Sequence, residues 1–224
     1  MSQAYLTDCE ADNLALQRLL QPALASVQKT NGLLPGDLSD LQILDLACGP
    51  CREIEAVCSS LRPLLRKERA AIRFVGADIR AAEINEARHR AAEVVPAGVR
   101  PEFLVADCGK LDGIRELGAD FDLVFLRHQN FWNDPRLWRR IFASGLRRLK
   151  PSGVLAITSY FDDEHRLALK ALRQVGAQLL LTMRNPQSRE LATRGKSVDR
   201  HLALFRHQPD SAQSEYSSPL IIPP

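Results

Sequence analysis

Short apolar runs alternate along this sequence with longer stretches in which apolar residues recur every three or four positions. The short runs are typical of buried strands, and the longer stretches are typical of amphipathic helices. The pattern predicts helices at about residues 8–27, 52–66, 80–93, 134–149 and 162–175. It predicts strands at about residues 43–46, 72–77, 102–106, 121–126, 154–159, 178–183 and 201–205.

This alternation predicts the architecture of an α/β protein. Strands separated by helices form a mostly parallel sheet covered on both faces, and right-handed crossovers make it doubly wound. The last two strands have no helix between them, which indicates an antiparallel closing hairpin. In an open sheet of this kind we expect ligands to bind beyond the carboxyl ends of the strands.

The chain is divided into three parts by its pattern. Residues 1–40 form a helical N-terminal extension, which Pro22 is expected to kink or divide. Residues 41–207 carry the strands, and residues 208–224 are rich in serine, proline and glutamine, which is typical of a disordered tail.

Composition excludes several classes of protein. With 224 residues, 45% of them hydrophobic and 25% charged, the chain has the make-up of an ordinary soluble globular protein with one main domain. It has neither a secretory signal nor an apolar run long enough to cross a membrane. A net charge of +3 permits a nucleic-acid partner without requiring one. Five cysteines, an odd number, indicate reduced thiols in a cytoplasmic protein.

The segment 41–54, LQILDLACGPCREI, reads as a strand, a tight turn of small residues and the start of a helix. Such a turn aims backbone N–H groups at a ligand, which favours a nucleotide-type site built on Asp45 and Gly49. The same turn spells C-G-P-C, which resembles a thioredoxin redox motif. No tryptophan precedes Cys48, and no Ile-Pro-Thr follows later, so catalytic dithiol chemistry is the lesser alternative. The cysteines lack the second ligand pair of a zinc site, so no metal is expected.

Five features in order resemble the class I S-adenosylmethionine-dependent methyltransferases. They are Asp45 with its glycine-containing turn, a second strand ending in Asp78, a third ending in Asp107, the strand FDLVFL, and LRRLKPSG before the fifth strand. The similarity covers about residues 41–207 and implies a seven-stranded sheet with an antiparallel last strand. The chain departs from the family pattern at Cys51, where a third glycine is common, and at Ser152.

The resemblance implies S-adenosylmethionine as the cofactor and assigns residues to it. Asp78 matches the acid that binds both ribose hydroxyls, and Asp107 matches the residue facing the adenine amino group. An aspartate at a strand end can equally be a simple turn former or helix cap. The complete expected cofactor set is Asp45, Ala47, Cys48, Gly49, Asp78, Ile79, Asp107, Cys108 and Arg127.

The acceptor side is less specified by the sequence. His128, just beyond the fourth strand, is the candidate general base if the acceptor arrives protonated, and its alternative is a packing histidine. Expected acceptor-binding residues are His128, Asn130, Trp132 and Tyr160. A small-molecule acceptor is favoured, with the N-terminal extension as its lid. The alternatives are an RNA or protein acceptor and a non-catalytic binding protein. The sequence does not determine the oligomeric state.

Overall fold

The computed structural model describes residues 3–34, 40–65, 71–93, 95–118 and 120–208. The helices are α1 (Gln3–Asn31), α2 (Ile54–Leu61), α3 (Ala81–Glu93), α4 (Pro135–Arg147) and α5 (Asp162–Gln174). The strands are β1 (Asp40–Leu46), β2 (Ala71–Asp78), β3 (Val99–Val105), β4 (Phe121–Leu126), β5 (Leu149–Ser159), β6 (Ala177–Arg184) and β7 (His201–His207).

The strands form one seven-stranded sheet in the order β3-β2-β1-β4-β5-β7-β6. Neighbouring strands from β3 to β5 are parallel, whereas β7 runs antiparallel to both β5 and β6. The predicted doubly wound sheet with an antiparallel last strand is therefore confirmed. Strand β1 lies between β2 and β4, so the direction in which strands are added to the sheet reverses there, and ligands are expected at the carboxyl ends of these strands.

Two hydrophobic clusters cover the two faces of the sheet. One contains α1, α2 and α3 packed on side chains such as Ile43 and Phe74, and the other contains α4 and α5 packed on residues such as Val124 and Phe205. None of the described helices combines the length and apolar character that a membrane crossing requires. The core thus holds both layers of helices against a rigid central sheet.

Helix α1 differs from the expectation because Pro22 does not divide it. A proline inside a helix costs about 3 kcal/mol through a lost hydrogen bond and a steric clash. The α1 residues Leu16, Leu20 and Leu24 are fully buried, and each contributes about 1.5–3 kcal/mol relative to exposure. Burial of this apolar stripe outweighs the cost of the proline and keeps the helix continuous.

Other boundaries also differ from the sequence pattern. Residues 150–153, which lie between the predicted helix at 134–149 and the predicted strand at 154–159, belong to β5, whose pairing with β4 shifts register between Phe121 and Leu123. Gly153 permits this irregularity because a Cβ there would lie 2.7 Å from the Phe121 carbonyl oxygen. The helix expected at 52–66 ends at Leu61 and continues as a short 3-10 turn. The tail expected to be disordered lies, beyond residue 208, outside the described residues.

A buried polar network joins α5 to the sheet. The His165 ring lies 3.0 Å from Ser159 Oγ through Nδ1 and 2.8 Å from Thr182 Oγ1 through Nε2. It also stacks on His201 at a centroid distance of 4.6 Å. Burial, with a smaller contribution from His201, lowers the pKa of His165 to about 4. The ring is therefore neutral in the folded protein at neutral pH.

We expect His165 to make the protein less stable in mild acid. The unfolded chain binds a proton near pH 6.5 and the folded chain only near pH 4, so the unfolded state holds more protons between these values. The free energy of unfolding should fall by about 2 kcal/mol between pH 7 and pH 5 from this group. Urea unfolding of wild type and His165→Gln across this range measures it. His89→Gln, at an exposed histidine, is the control, and equal pH slopes for all three proteins would contradict the assignment.

Candidate functional site

Two adjoining cavities open at the carboxyl edge of the sheet, at the ends of β1, β2 and β4. The first has a volume of about 420 Å³ and the second about 270 Å³. Four residues line both of them, namely Ala47, Arg80, Arg127 and His128. The two cavities therefore meet along a shared wall and form one cleft, of a size that suits a small ligand.

The turn between β1 and α2 forms the floor of the first cavity. The Cys51 N–H donates to the Cys48 carbonyl at 2.9 Å, which closes residues 48–51 into a β-turn. Ala47, Gly49 and Cys51 all have positive φ, at 55°, 54° and 46°. A non-glycine residue in this conformation costs roughly 1–2 kcal/mol, so strain is concentrated in this turn. Gly49 avoids this cost, and a Cβ added there would approach Arg80 Nη2 at 3.3 Å.

Asp78 ends β2 and faces the cleft, where it lines the second cavity. Its Oδ2 accepts the Gly49 N–H at 2.8 Å and its Oδ1 accepts the Arg80 N–H at 2.9 Å. The Arg80 guanidinium also donates to both carboxylate oxygens, at 3.0 and 3.2 Å. Burial opposes ionisation of Asp78, but these hydrogen bonds outweigh it and hold its pKa below the usual value. Because the Arg80 side chain is 58% exposed, a ligand can displace it.

Two buried carboxyl groups lie beneath the turn, on Asp45 and Glu53. Asp45 is fully buried, and neither of its oxygens has a hydrogen-bond partner among the described residues; the same is true of Glu53 Oε1. Burial, together with the nearby Glu53 and Cys48, raises the pKa of Asp45 well above its usual value. Burial of this kind favours the neutral form of the acid, and a cation that enters the site would favour the charged form.

Asp199, which the sequence analysis did not identify as a site residue, contacts both residues that follow β4, Arg127 and His128. It is 1% exposed and accepts from Arg127 Nη2 at 2.7 Å and from Thr158 Oγ1 at 2.8 Å. Its burial opposes ionisation, but Arg127 and His128 outweigh this effect and hold the pKa of Asp199 far below its usual value. Arg127 also contacts Glu53 at 3.4 Å. The group is a buried polar network at the wall of the first cavity, in which the Asp199 carboxylate and the Arg127 guanidinium form an ion pair.

His128 stands where the two cavities meet. Its Nε2 lies 2.8 Å from Asp199 Oδ1 and 3.1 Å from the Asp199 backbone N–H, two contacts that require opposite proton positions. The carboxylate contact is shorter and carries full charge, so we place the hydrogen on Nε2, which leaves the Nδ1 lone pair to accept a proton. The ring stacks on Tyr160 at 3.9 Å. Both His128 and Asp199 have positive φ, of 57° and 47°, as expected where structure over-determines a functional contact.

The second cavity has a mixed polar and apolar wall. Asp107 and Cys108 lie at one side, and Asp107 Oδ1 accepts the Gly109 N–H at 2.9 Å, so this acid also forms a turn. Ile79 is 68% exposed despite its apolar side chain. The opposite wall comes from α4, which Asp134 caps by accepting two backbone N–H groups, and its members are Leu137, Trp138 and Ile141. Apolar and aromatic walls of this kind suit an apolar ligand group.

The far wall of the first cavity comes from α1 and from the connector between β6 and β7. Arg189 Nε donates to Asp12 at 2.9 Å, which joins these two segments. Asn13 Oδ1 accepts from Arg127 at 2.8 Å, and its amide donates to the Arg52 carbonyl at 2.6 Å. The N-terminal extension therefore lies over the cleft, and its action as a lid stays a prediction.

Most of the residues predicted from the sequence meet at this cleft. Those lining it are Ala47, Cys48, Gly49, Asp78, Ile79, Asp107, Cys108, Arg127, His128 and Tyr160, and Asp45 lies beneath the turn. Asn130 and Trp132 line neither cavity; Trp132 packs edge-on against Phe161 at 5.1 Å, at the surface. The sequence pattern missed Glu53, Arg80, Arg189 and Asp199, which carry no motif of their own, as well as the α4 wall.

Comparison with known proteins gives a family and a fold. Residues 43–153 match the model of a family described as a methyltransferase domain. The fold is similar to that of an S-adenosylmethionine-dependent methyltransferase from Clostridium acetobutylicum, with a TM-score of 0.57 and 14% identity over 85% of this chain and 92% of that one. It is also similar to the N-methyltransferase NodS from Bradyrhizobium japonicum, with a TM-score of 0.55 and 15% identity over 86% and 97%. A third similar structure is magnesium protoporphyrin IX methyltransferase from Synechocystis with bound SAM, with a TM-score of 0.53 and 19% identity over 86% and 80%. A search of curated proteins finds no match.

Proposed function

Because this chain belongs to the class I S-adenosylmethionine-dependent methyltransferases, we propose that it methylates a small molecule whose accepting atom carries a proton, and that His128 removes this proton. The observation that carries the proposal is the position of His128, at the junction of the two cavities with its Nε2 held by Asp199. The cofactor would lie across both cavities of the cleft, and the acceptor would enter the first cavity beside it.

The residues of the cleft fit the cofactor group by group. S-adenosylmethionine supplies an electrophilic methyl group on a sulfonium sulfur. Asp78 offers two carboxylate oxygens to the ribose hydroxyls once Arg80 moves aside. Asp45 and Glu53, buried with unpartnered oxygens, compensate the charge of the methionine ammonium. The apolar wall of the second cavity holds the adenine.

His128 provides general base chemistry through Nδ1. A hydroxyl, thiol or ammonium acceptor is a weak nucleophile until it loses its proton, so a positioned base raises the rate. Asp199 fixes the ring in the tautomer that keeps Nδ1 free and stabilises the charge that the ring gains. Tyr160 supports the opposite face of the ring, and burial raises its pKa to about 12, so its hydroxyl stays neutral. Asp199 acts through His128 and is a positioning residue.

A small-molecule acceptor is favoured by the walls of the first cavity. The side of this cavity away from the sheet is formed by α1 and the β6–β7 connector, joined through Arg189 and Asp12. An extended RNA or protein acceptor would have to separate these segments. One of the similar structures, magnesium protoporphyrin IX methyltransferase, is named for a small-molecule acceptor, whereas another is named as a ribosomal protein L11 methylase, so the choice rests on the walls of the cavity. We further propose a cytoplasmic location, in keeping with five free thiols.

We expect His128→Ala to reduce turnover at least about a hundredfold, the lower end of what a general base contributes. Its affinity for S-adenosylmethionine should stay within about twofold, because the ring contacts the acceptor side. The assay follows S-adenosylhomocysteine release across a panel of hydroxyl, thiol and amine compounds, and calorimetry follows cofactor binding. Added imidazole should restore part of the lost rate.

A non-catalytic binding protein with the same fold is the competing hypothesis. The same assay distinguishes it from an active methyltransferase. Cofactor binding without turnover of any compound in the panel, or of RNA and protein extracts, favours the binding protein. Full turnover in His128→Ala would remove the general base but leave the methyltransferase in place. Asn130→Ala, at an exposed residue beside the same loop, is the matched control and should behave as wild type.

A further inference from the structure

Two thiols in the cleft floor have no part in the proposed chemistry. Cys48 lines the first cavity and is 8% exposed, whereas Cys51 is 2% exposed. A Cβ added to Gly76 of β2 would lie 2.3 Å from Cys51 Sγ and 3.1 Å from Cys48 Sγ. Both sulfurs therefore occupy the space that the missing Gly76 side chain leaves open.

The turn that carries these thiols already has the dimensions of a disulfide. Residues 48 and 51 are the two ends of one hydrogen-bonded β-turn, so their Cα atoms are less than about 7 Å apart. Disulfides span about 4.4–6.8 Å between Cα atoms. Closing the bond requires rotation of the two side chains and a backbone adjustment that is confined to the turn.

We propose that Cys48 and Cys51 form a reversible disulfide with a low-molecular-weight disulfide as oxidant, and that the oxidised turn binds the cofactor more weakly. The first part stands on the geometry of the turn alone, whereas the second rests on the cofactor assignment of the cleft. The pair thus acts as a thiol modification site that couples cofactor binding to the redox state of the surroundings.

The chemistry proceeds by two thiol–disulfide exchanges. Cys48, the thiol that reaches the cavity, attacks one sulfur of the oxidant RSSR and forms a mixed disulfide, releasing one RSH. Cys51 then attacks the Cys48 sulfur, which closes the Cys48–Cys51 bond and releases the second RSH. Two electrons and two hydrogens pass from the protein thiols to the two molecules of RSH. Burial, together with Cys48, Asp45 and Glu53, raises the pKa of Cys51, so closure should be faster at higher pH.

The disulfide acts on the cofactor site through the backbone of the turn. The Cys48 N–H donates to the Ala77 carbonyl at 3.2 Å, and the next N–H, that of Gly49, donates to Asp78 Oδ2 at 2.8 Å. Drawing the Cys48 sulfur toward Cys51 turns the Cys48–Gly49 peptide and disturbs the hydrogen bond that orients Asp78. By linkage, the bound cofactor must oppose oxidation by the same factor by which oxidation weakens its binding.

The test titrates the full-length protein in glutathione buffers of graded redox potential. EDTA is present because Asp45, Cys51 and Glu53 offer donor atoms within 4.8 Å of one another that a metal ion could occupy. Alkylation and peptide mass spectrometry identify the bond, and calorimetry measures S-adenosylhomocysteine affinity. We expect a Cys48–Cys51 disulfide, at least tenfold weaker binding, and recovery with dithiothreitol. Because it binds the reduced form more tightly, saturating S-adenosylhomocysteine should raise the midpoint reduction potential of the pair by about 30 mV for each tenfold difference in affinity.

Variants separate the parts of the proposal. Cys51→Ser should form no intramolecular bond and should accumulate a glutathione adduct at Cys48. Cys48→Ser should form neither species, and its affinity for S-adenosylhomocysteine should be the same in oxidised and reduced buffer. Cys58→Ser, at a buried thiol of α2, is the matched control and should respond as wild type. The proposal is overturned if no Cys48–Cys51 bond forms in fully oxidised buffer, or if the bond forms and the affinity is unchanged. Failure of the reduced protein to bind the cofactor would instead count against the proposed function.

Discussion

Asp78→Ala should weaken S-adenosylmethionine binding about a hundredfold. The variant removes both oxygens that the ribose diol would use, and each hydrogen bond to a charged group contributes about 1.5 kcal/mol at the low end of its range. It also removes the acceptor for the Gly49 N–H, which lies 2.8 Å from Asp78 Oδ2, so the turn under the methionine half is released as well. Calorimetric titration with S-adenosylmethionine and S-adenosylhomocysteine measures the loss.

The control for this prediction is Glu83→Ala. Glu83 pairs with Arg80 at 3.0 Å and lines neither cavity. Its removal changes the local charge by the same amount, and we expect affinity within about twofold of wild type, as for an exposed ion pair. Equal losses in the two variants would point to Arg80 and general electrostatics, and full affinity in Asp78→Ala would remove this carboxylate from the site.

Thermal unfolding with excess NAD should show no stabilisation of either protein, whereas a true ligand at a hundred times its dissociation constant adds about 2.7 kcal/mol.

Asp199→Ala is expected to cost about 3–5 kcal/mol of unfolding free energy. Asp199 is 1% exposed, and its removal leaves the buried Arg127 guanidinium without its closest carboxylate, which lies at 2.7 Å. A buried charge that loses its partner keeps its desolvation cost and loses its compensation. Chemical denaturation at neutral pH measures the change.

Two further variants distinguish a structural from a functional role for Asp199. Asp162→Ala removes another paired aspartate whose side chain is 57% exposed, and it should cost less than about 1 kcal/mol. Asp199→Asn keeps the shape of the side chain, and we expect it to lower kcat while cofactor affinity stays near wild type, because its partner His128 lies on the acceptor side. An unfolding free energy for Asp199→Ala close to wild type would contradict the buried network.

The strained residues of the described chain are concentrated at the cleft. Five non-glycine residues have positive φ, and four of them, Ala47, Cys51, His128 and Asp199, lie at the β1–α2 turn or at the contact between His128 and Asp199. Such conformations persist only where the surrounding structure over-determines them. The sequence gives no sign of this strain at Ala47 or Cys51, because neither residue type favours the left-handed region.

What the sequence determined by itself is the set of elements and the acids that end the strands. Runs such as Phe121–Leu126, in which Asp122 is the one polar residue, are largely apolar because both faces of a central parallel strand are buried, so local pattern is sufficient. Asp78 and Asp107 follow directly from the ends of two such strands, and the parallel sheet brings both ends to one edge. Where a local rule failed, as at Pro22, burial of a neighbouring apolar stripe outweighed it.

What only the tertiary structure decided is which distant side chains meet. Asp199 contacts Arg127 across 72 positions because the antiparallel β7 enters the sheet beside β5, and no spacing along the chain encodes that meeting. Arg80 covers Asp78, and Trp132 leaves the cleft for the surface beside Phe161. Secondary structure follows from the periodicity of neighbouring residues, whereas a site joins residues from separate elements whose geometry is fixed only when the whole core is packed.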